Sequence, residues 1–289
     1  MNFSKIITEI EKVDPEVYER VDTRRTAMKG FANLSGKLAL AAVPVALSSL
    51  FSKAYAGGGP GDAVTDVLNY ALTLEYLEAE FYTNIVASPV YGTISAAAQG
   101  ALAKIKDDEN KHVAFLRTVL GAAAVPKPTF DFTAGNGTGT GPFAGYLNSY
   151  AMQLAMAQTF EDTGVRAYKG QAPALIPNND VLTAALNIHS VEARHAAHIR
   201  QMRRALGALG AVPAGVDLKP WITLKESGID NPFRTAVQPS YDGEEITTQA
   251  GVNLLTVGGM TFTAEAASAA FDEPLTMAQV LAIVDPFIA

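Results

Sequence analysis

"HSVEARHAAHIRQ", residues 189–201, holds three of the chain's four histidines, spaced in threes with Glu192 between them. The fourth, His112, lies in "DDENKHVAFLR", residues 107–117. Aligned, the stretches set Glu109-x-x-His112 against Glu192-x-x-His195, with Ala114 and Ala197, Leu116 and Ile199, and Arg117 and Arg200 at matching offsets. Helical residues three apart differ by about 60° in direction and stand on adjacent turns, so such a Glu and His can reach one point. That is the geometry of a carboxylate–imidazole chelate. The three histidines are not one cluster, because the nine residues from His189 to His198 turn the helix by about 180°. His198 aligns with Phe115, which suggests packing or a place beside a ligand. His189 aligns with Lys106, which suggests polar surface.

Working outward, "EYLEAEFY" (75–82) and "EDTGVRAY" (161–168) also match, each placing a Glu seven residues before a Tyr. From Glu75 to Glu109 is 34 residues, and from Glu161 to Glu192 is 31. The chain therefore repeats one unit twice: a helix with Glu, then a helix with Glu-x-x-His. The repeat is imperfect, since Glu78 corresponds to Gly164. Glu78 is thus a candidate additional ligand, and Gly164 a candidate place for a substrate or a close helix contact. Glu80 points away toward solvent. Asp108, beside Glu109, is either a surface carboxylate or an acceptor that orients a ligand histidine.

Helical periodicity runs over about 62–87, 95–120, 143–169 and 180–209, with Gly210 as the last stop signal. The first and last connections are short; the middle one, "VPKPTFDFTAGNGTGTGP", is long and glycine-rich. Short, long, short implies an all-α four-helix bundle with one long crossover. Residues 57–212 make up this bundle. Residues 213–289 read as a mostly irregular extension, with a short hairpin and two short helices, packing on the bundle.

Composition narrows the chemistry. A net charge of −7 and a pI near 5.2 exclude nucleic acid as the main partner. The absence of cysteine excludes disulfides, thiolate catalysis, Fe–S clusters and cysteine-bound zinc. Any metal is held by carboxylate and imidazole, which suits iron, with manganese and zinc as alternatives. Glu from each of two helices plus Glu-x-x-His from each of two others is the donor set of di-iron carboxylate bundles, here Glu75, Glu109, His112, Glu161, Glu192 and His195.

Residues 1–56 read as an export signal. Arg24 and Arg25 precede an apolar run from about Phe31 to Phe51, and Ala54-Tyr55-Ala56 forms a signal-peptidase triplet. The paired arginines fit the twin-arginine pattern loosely. A retained membrane anchor is the alternative. The export machinery is then a partner, and the destination is periplasmic or extracellular.

"LNYALTLEYLEAEFY" (68–82) and "AFDEPLTMAQVLAIVDPF" (270–287) resemble the ferritin-like superfamily, in particular secreted ferritin-like proteins related to plant desiccation-related proteins. The resemblance implies two metal ions, iron foremost, at the six residues named above, and a homo-oligomer is open. It also places Tyr82 and Tyr168 near the ligands, to tune the metals, carry a transient radical, or simply fill the core. Two functions follow: oxidation of Fe(II) or reduction of oxygen or peroxide, or non-enzymatic stress protection with metal structural or absent. Storage in a cage has no sequence signal.

Overall fold

The computed structural model describes residues 63–207, 212–230, 232–249 and 251–289. The leader, with Arg24, Arg25, Ala54 and Ala56, lies outside the described residues. Among the described residues no helix is long and apolar enough to cross a membrane.

Four long helices form the bundle: α1 (Ala63–Val86), α2 (Ala96–Leu120), α3 (Tyr150–Leu175) and α4 (Asn179–Leu206). Local chemistry sets their ends. Ser95, Ser149 and Asn178 each accept the backbone N–H three residues on, at the starts of α2, α3 and α4. Gly121 and Gly207, at φ 54° and 55°, close α2 and α4 in a backbone conformation that favours glycine. The fourth helix therefore stops at Leu206, short of the expected 209.

The third helix differs most from the sequence reading. It starts at Tyr150, not Phe143, because Gly145 turns the chain at φ 85° and Ser149 supplies the cap. Phe143 is instead a core anchor, stacked on Phe233 and Phe287 at 5.7 and 5.9 Å. At its other end α3 continues through Gly170 and Pro173, residues that read as a turn. Pro173 sits in the last turn, so the bond it cannot donate to the Lys169 carbonyl is lost only at the helix end and the body of α3 is left intact.

Residues 153–168 of α3 are all buried. One side faces α1 and α4; the other is covered by the C-terminal segment. That segment carries α5 (Arg234–Val237), two antiparallel hairpins, α6 (Ala264–Ser268) and α7 (Met277–Val284). The hairpins pair β1 (Thr248–Gln249) with β2 (Val252–Asn253), and β3 (Thr256–Val257) with β4 (Met260–Thr261), where the sequence suggested one. Helix α7 opens on a capping box of Thr276 and Gln279. Ile288 bridges Phe130 of the crossover.

Polar groups anchor this cover. The Arg166 guanidinium donates to the carbonyls of Ser240, Asp242 and Glu273, and its Nε lies 2.6 Å from Glu244. Asp162 accepts from Arg200 and, at 2.8 Å, from the Tyr241 hydroxyl. Gln158 donates to the Ser227 carbonyl at 2.8 Å. Arg117, the counterpart of Arg200, is exposed, so the second half of the repeat has acquired a buried polar seam that the first lacks.

Gly170 lets the segment cross α3. A Cβ there would stand 1.9 Å from the Leu275 carbonyl oxygen. Gly→Ala inside a helix ordinarily stabilises by about 1 kcal/mol. Here Gly170→Ala is expected to destabilise by roughly 1–3 kcal/mol, the usual cost of overpacking. Thermal unfolding, with limited proteolysis of residues 213–289, checks this; a raised melting temperature would contradict it.

Candidate metal centre

Four carboxylates and two imidazoles meet in the middle of the bundle, one Glu or one Glu-x-x-His from each helix. Glu75, Glu109, Glu161 and Glu192 are fully buried, and His112 and His195 nearly so. They form two overlapping groups: Glu75, Glu109, His112 and Glu192, and Glu109, Glu161, Glu192 and His195. Within each, one ligand atom per residue lies within 4.8 Å of every other.

The oxygens divide between the groups. His112 Nδ1 stands 3.1 Å from Glu75 Oε2, Glu109 Oε2 and Glu192 Oε1 alike. His195 Nδ1 stands 2.9 Å from Glu109 Oε1, 3.3 Å from Glu161 Oε2 and 3.8 Å from Glu192 Oε2. Glu109 and Glu192 therefore give one oxygen to each group, while Glu75 and Glu161 each belong to one.

Many of these atoms approach without aligned hydrogen bonds. Glu109 Oε1, Glu161 Oε2, both Glu192 oxygens and His195 Nδ1 are buried with no hydrogen-bond partner among the described residues. Taking a carboxylate from water costs several kcal/mol when nothing compensates it. His112 Nδ1 is hydrogen-bonded to Glu75 and Glu109, whereas the unpartnered donors, most of them in the His195 group, fit a cation as the missing compensation. All six donors are hard or borderline, in keeping with iron, manganese or zinc.

Electrostatics show the same crowding. Burial, opposed by His112 and reinforced by Glu192, pushes the Glu75 carboxyl up to about 8. Burial and the neighbouring carboxylates push Glu78 and Glu161 well above the usual range, although His195 pulls Glu161 back. Burial raises Glu192 too, but the flanking His112 and His195 outweigh it and hold the group down at about 2. Both imidazoles are driven upward by the carboxylates facing them, against the effect of burial.

The tyrosines complete a reciprocal pattern. Tyr82 of α1 donates to Glu161 Oε1 of α3 at 2.5 Å, and Tyr168 of α3 donates to Glu75 Oε1 of α1 at 2.5 Å. Each hydroxyl occupies one oxygen of a single-group carboxylate and leaves the other facing its histidine. Removing either hydroxyl, as Tyr82→Phe or Tyr168→Phe, is expected to weaken metal binding by roughly 10–100-fold, as for other groups that orient a ligand. Competitive titration against a metal-sensitive dye reads this, and unchanged affinity would leave the tyrosines as packing only.

Glu78 is buried, and a Cβ at position 164 would lie 3.3 Å from its Oε1 and 3.7 Å from Glu192 Cγ. The carboxyl thus occupies the space that Gly164, its counterpart, leaves clear. It lies against the six residues but in neither group. Asp108 Oδ2 is 3.5 Å from His195 Nε2, on the side away from the centre, and also pairs with Lys104 and Lys111. His198 is exposed, not packed as its alignment with Phe115 suggests. His189 is half-buried, with Nδ1 3.0 Å from the Val165 carbonyl oxygen. Glu80 pairs with Lys127 at the surface.

Comparisons with curated proteins and with solved structures give no match. A family model, the ferritin-like domain, matches residues 63–205, which contain all six donors and all four long helices but for Leu206. The bundle of this chain is a ferritin-like domain.

Proposed function

We propose that the six donors hold two metal ions, iron by preference, and that the protein oxidises Fe(II) or reduces oxygen or peroxide in a stress-protective role. One observation carries the reading: Glu109 and Glu192 each direct one oxygen to the His112 group and the other to the His195 group. Carboxylates so placed could help hold a cation in each group, and a pair of iron ions there would supply electron transfer to oxygen. The chain's own part is to fix the donors in a dry interior, with Tyr82 and Tyr168 holding Glu161 and Glu75 in orientation.

Export through the twin-arginine route, which carries folded proteins, accords with a metal inserted before transport. The resemblance to desiccation-related proteins supports the stress setting. The test is direct: add Fe(II) in air to the purified protein and follow metal content, oxygen consumption and ferric absorption. No bound metal and no oxidation above buffer would overturn the reading.

Ligands must lose their protons to bind metal. With Glu75 at about 8, its carboxyl is protonated at neutral pH and ionised above that value. Loading redox-inert Zn(II) in weak buffer is therefore expected to release protons at pH 7, with a smaller release at pH 9. Release that is independent of pH would contradict this.

A further inference from the structure

The two-fold repeat gives a standard for judging the surroundings of the centre. Glu75 and Tyr82 match Glu161 and Tyr168, so each residue of α1 has a counterpart in α3 at the same offset, and each side of the centre has a mate. On one side, Phe81 of α1 and Phe160 of α3 meet edge to face, with ring centroids 5.0 Å apart. Phe132, Tyr146 and Phe287 pack around them. That side is plugged by aromatic rings.

On the other side the counterparts of Phe81 and Phe160 are Ala167 and Leu74. The smaller pair leaves a narrow recess between α1, α3 and α4, partly open to solvent, with a cavity volume of about 20 Å³. Its lining is almost wholly apolar and includes Leu68, Ala71, Leu74, Ala167 and Tyr168. Tyr168 is also the residue whose hydroxyl reaches Glu75, so one side chain touches both the recess and the centre. Tyr70, which stands where the repeat has Met156, lines the recess too. Its buried hydroxyl has no hydrogen-bond partner among the described residues. Leaving such a group unmade costs about 1–3 kcal/mol, and it offers a donor to an oxygen atom of a ligand.

We infer that this recess, the unplugged mate of the Phe81–Phe160 pair, admits dioxygen to the Glu75 side of the centre. Enclosed apolar cavities stay dry and take up small apolar molecules, xenon among them; this recess shares their apolar lining and has room for one small molecule. A narrow apolar recess disfavours hydrated ions, which would have to shed their water to enter. The inference rests on the oxygen-using reading given above.

Xenon-pressurised crystals of the full chain test the recess without metal chemistry. The expected result is a xenon site against Leu74, Ala167 and Tyr168, and none at Phe81 and Phe160. Ala167→Phe, which copies the plug, is expected to abolish the xenon site. In iron-loaded protein it should also lower the second-order rate of oxygen consumption at least about tenfold, the change from an entry barrier raised by ~1.4 kcal/mol, with iron stoichiometry unchanged. Leu74→Phe copies the other half of the plug if Ala167→Phe does not fold. No xenon site in the parent protein, or an unaltered oxygen rate in a variant that has lost it, overturns the inference. The two readings fail separately: absent iron binding removes the metal centre whatever xenon shows, and absent xenon removes the recess whatever iron does.

Discussion

Glu109→Ala and Glu192→Ala are each expected to abolish iron oxidation and to cut metal affinity by more than about a hundredfold, beyond the 10–100-fold usual for groups that merely orient a ligand. The size of the effect follows from the division of their oxygens. Each carboxylate serves both groups of donors, so a single truncation strips both at once. Glu75→Ala and Glu161→Ala touch one group each, and should leave one metal per chain in place of two. His189→Ala is the control, since its imidazole bonds the Val165 carbonyl and contacts no donor of the centre. Metal content by elemental analysis, with oxygen uptake, separates these outcomes. Equal loss in the bridging and single-group variants would contradict the assignment.

The largest effect on stability is expected from Asp162→Ala. Asp162 and Arg200 are both almost wholly buried, and Arg200 donates to the carboxylate through Nε and Nη2. Truncating the acid strips the buried guanidinium of the carboxylate it bonds, a change that typically costs about 3–5 kcal/mol. For a chain of this size that lowers the melting temperature by roughly 10 °C. The Tyr241 hydroxyl loses its acceptor as well, which loosens the C-terminal segment. Lys127→Ala, at an exposed pair with Glu80, should cost less than about 1 kcal/mol. Similar melting temperatures for the two variants would show that the buried seam contributes nothing special.

Four helices, one crossover and the meeting of six donors were legible because each rests on a periodic signal. The 3.6-residue pattern located the helices, and the repeat picked out Glu75, Glu109, His112, Glu161, Glu192 and His195 from among many acids. What the sequence hid depends on contacts between distant segments. Gly170 and Pro173 look like a turn until Leu275 is seen crossing the first and the second is seen to sit in a last helical turn. Arg117 and Arg200 look equivalent until Tyr241 of the C-terminal segment is seen against the second and the first is seen exposed. His198 stands only about 60° round the helix from His195, and its exposure depends on what does not pack there. The recess was visible in principle, as Ala167 against Phe81 and Leu74 against Phe160, but only once the repeat is followed into the apolar positions.

The asymmetry has a common logic. Both halves keep the Glu, the Tyr and the Glu-x-x-His that build the centre. They differ in what surrounds it: Glu78 against Gly164, Phe81 against Ala167, Glu80 against Arg166. A duplicated core thus carries one plugged side and one open side, and one half is clamped by a later segment of the chain.

Diffraction from iron-loaded crystals, collected on either side of the iron absorption edge, tests the central claim most directly. Two anomalous peaks are expected, one among Glu75, Glu109, His112 and Glu192, the other among Glu109, Glu161, Glu192 and His195. A centre without anomalous signal, or iron bound only at other residues, would contradict it.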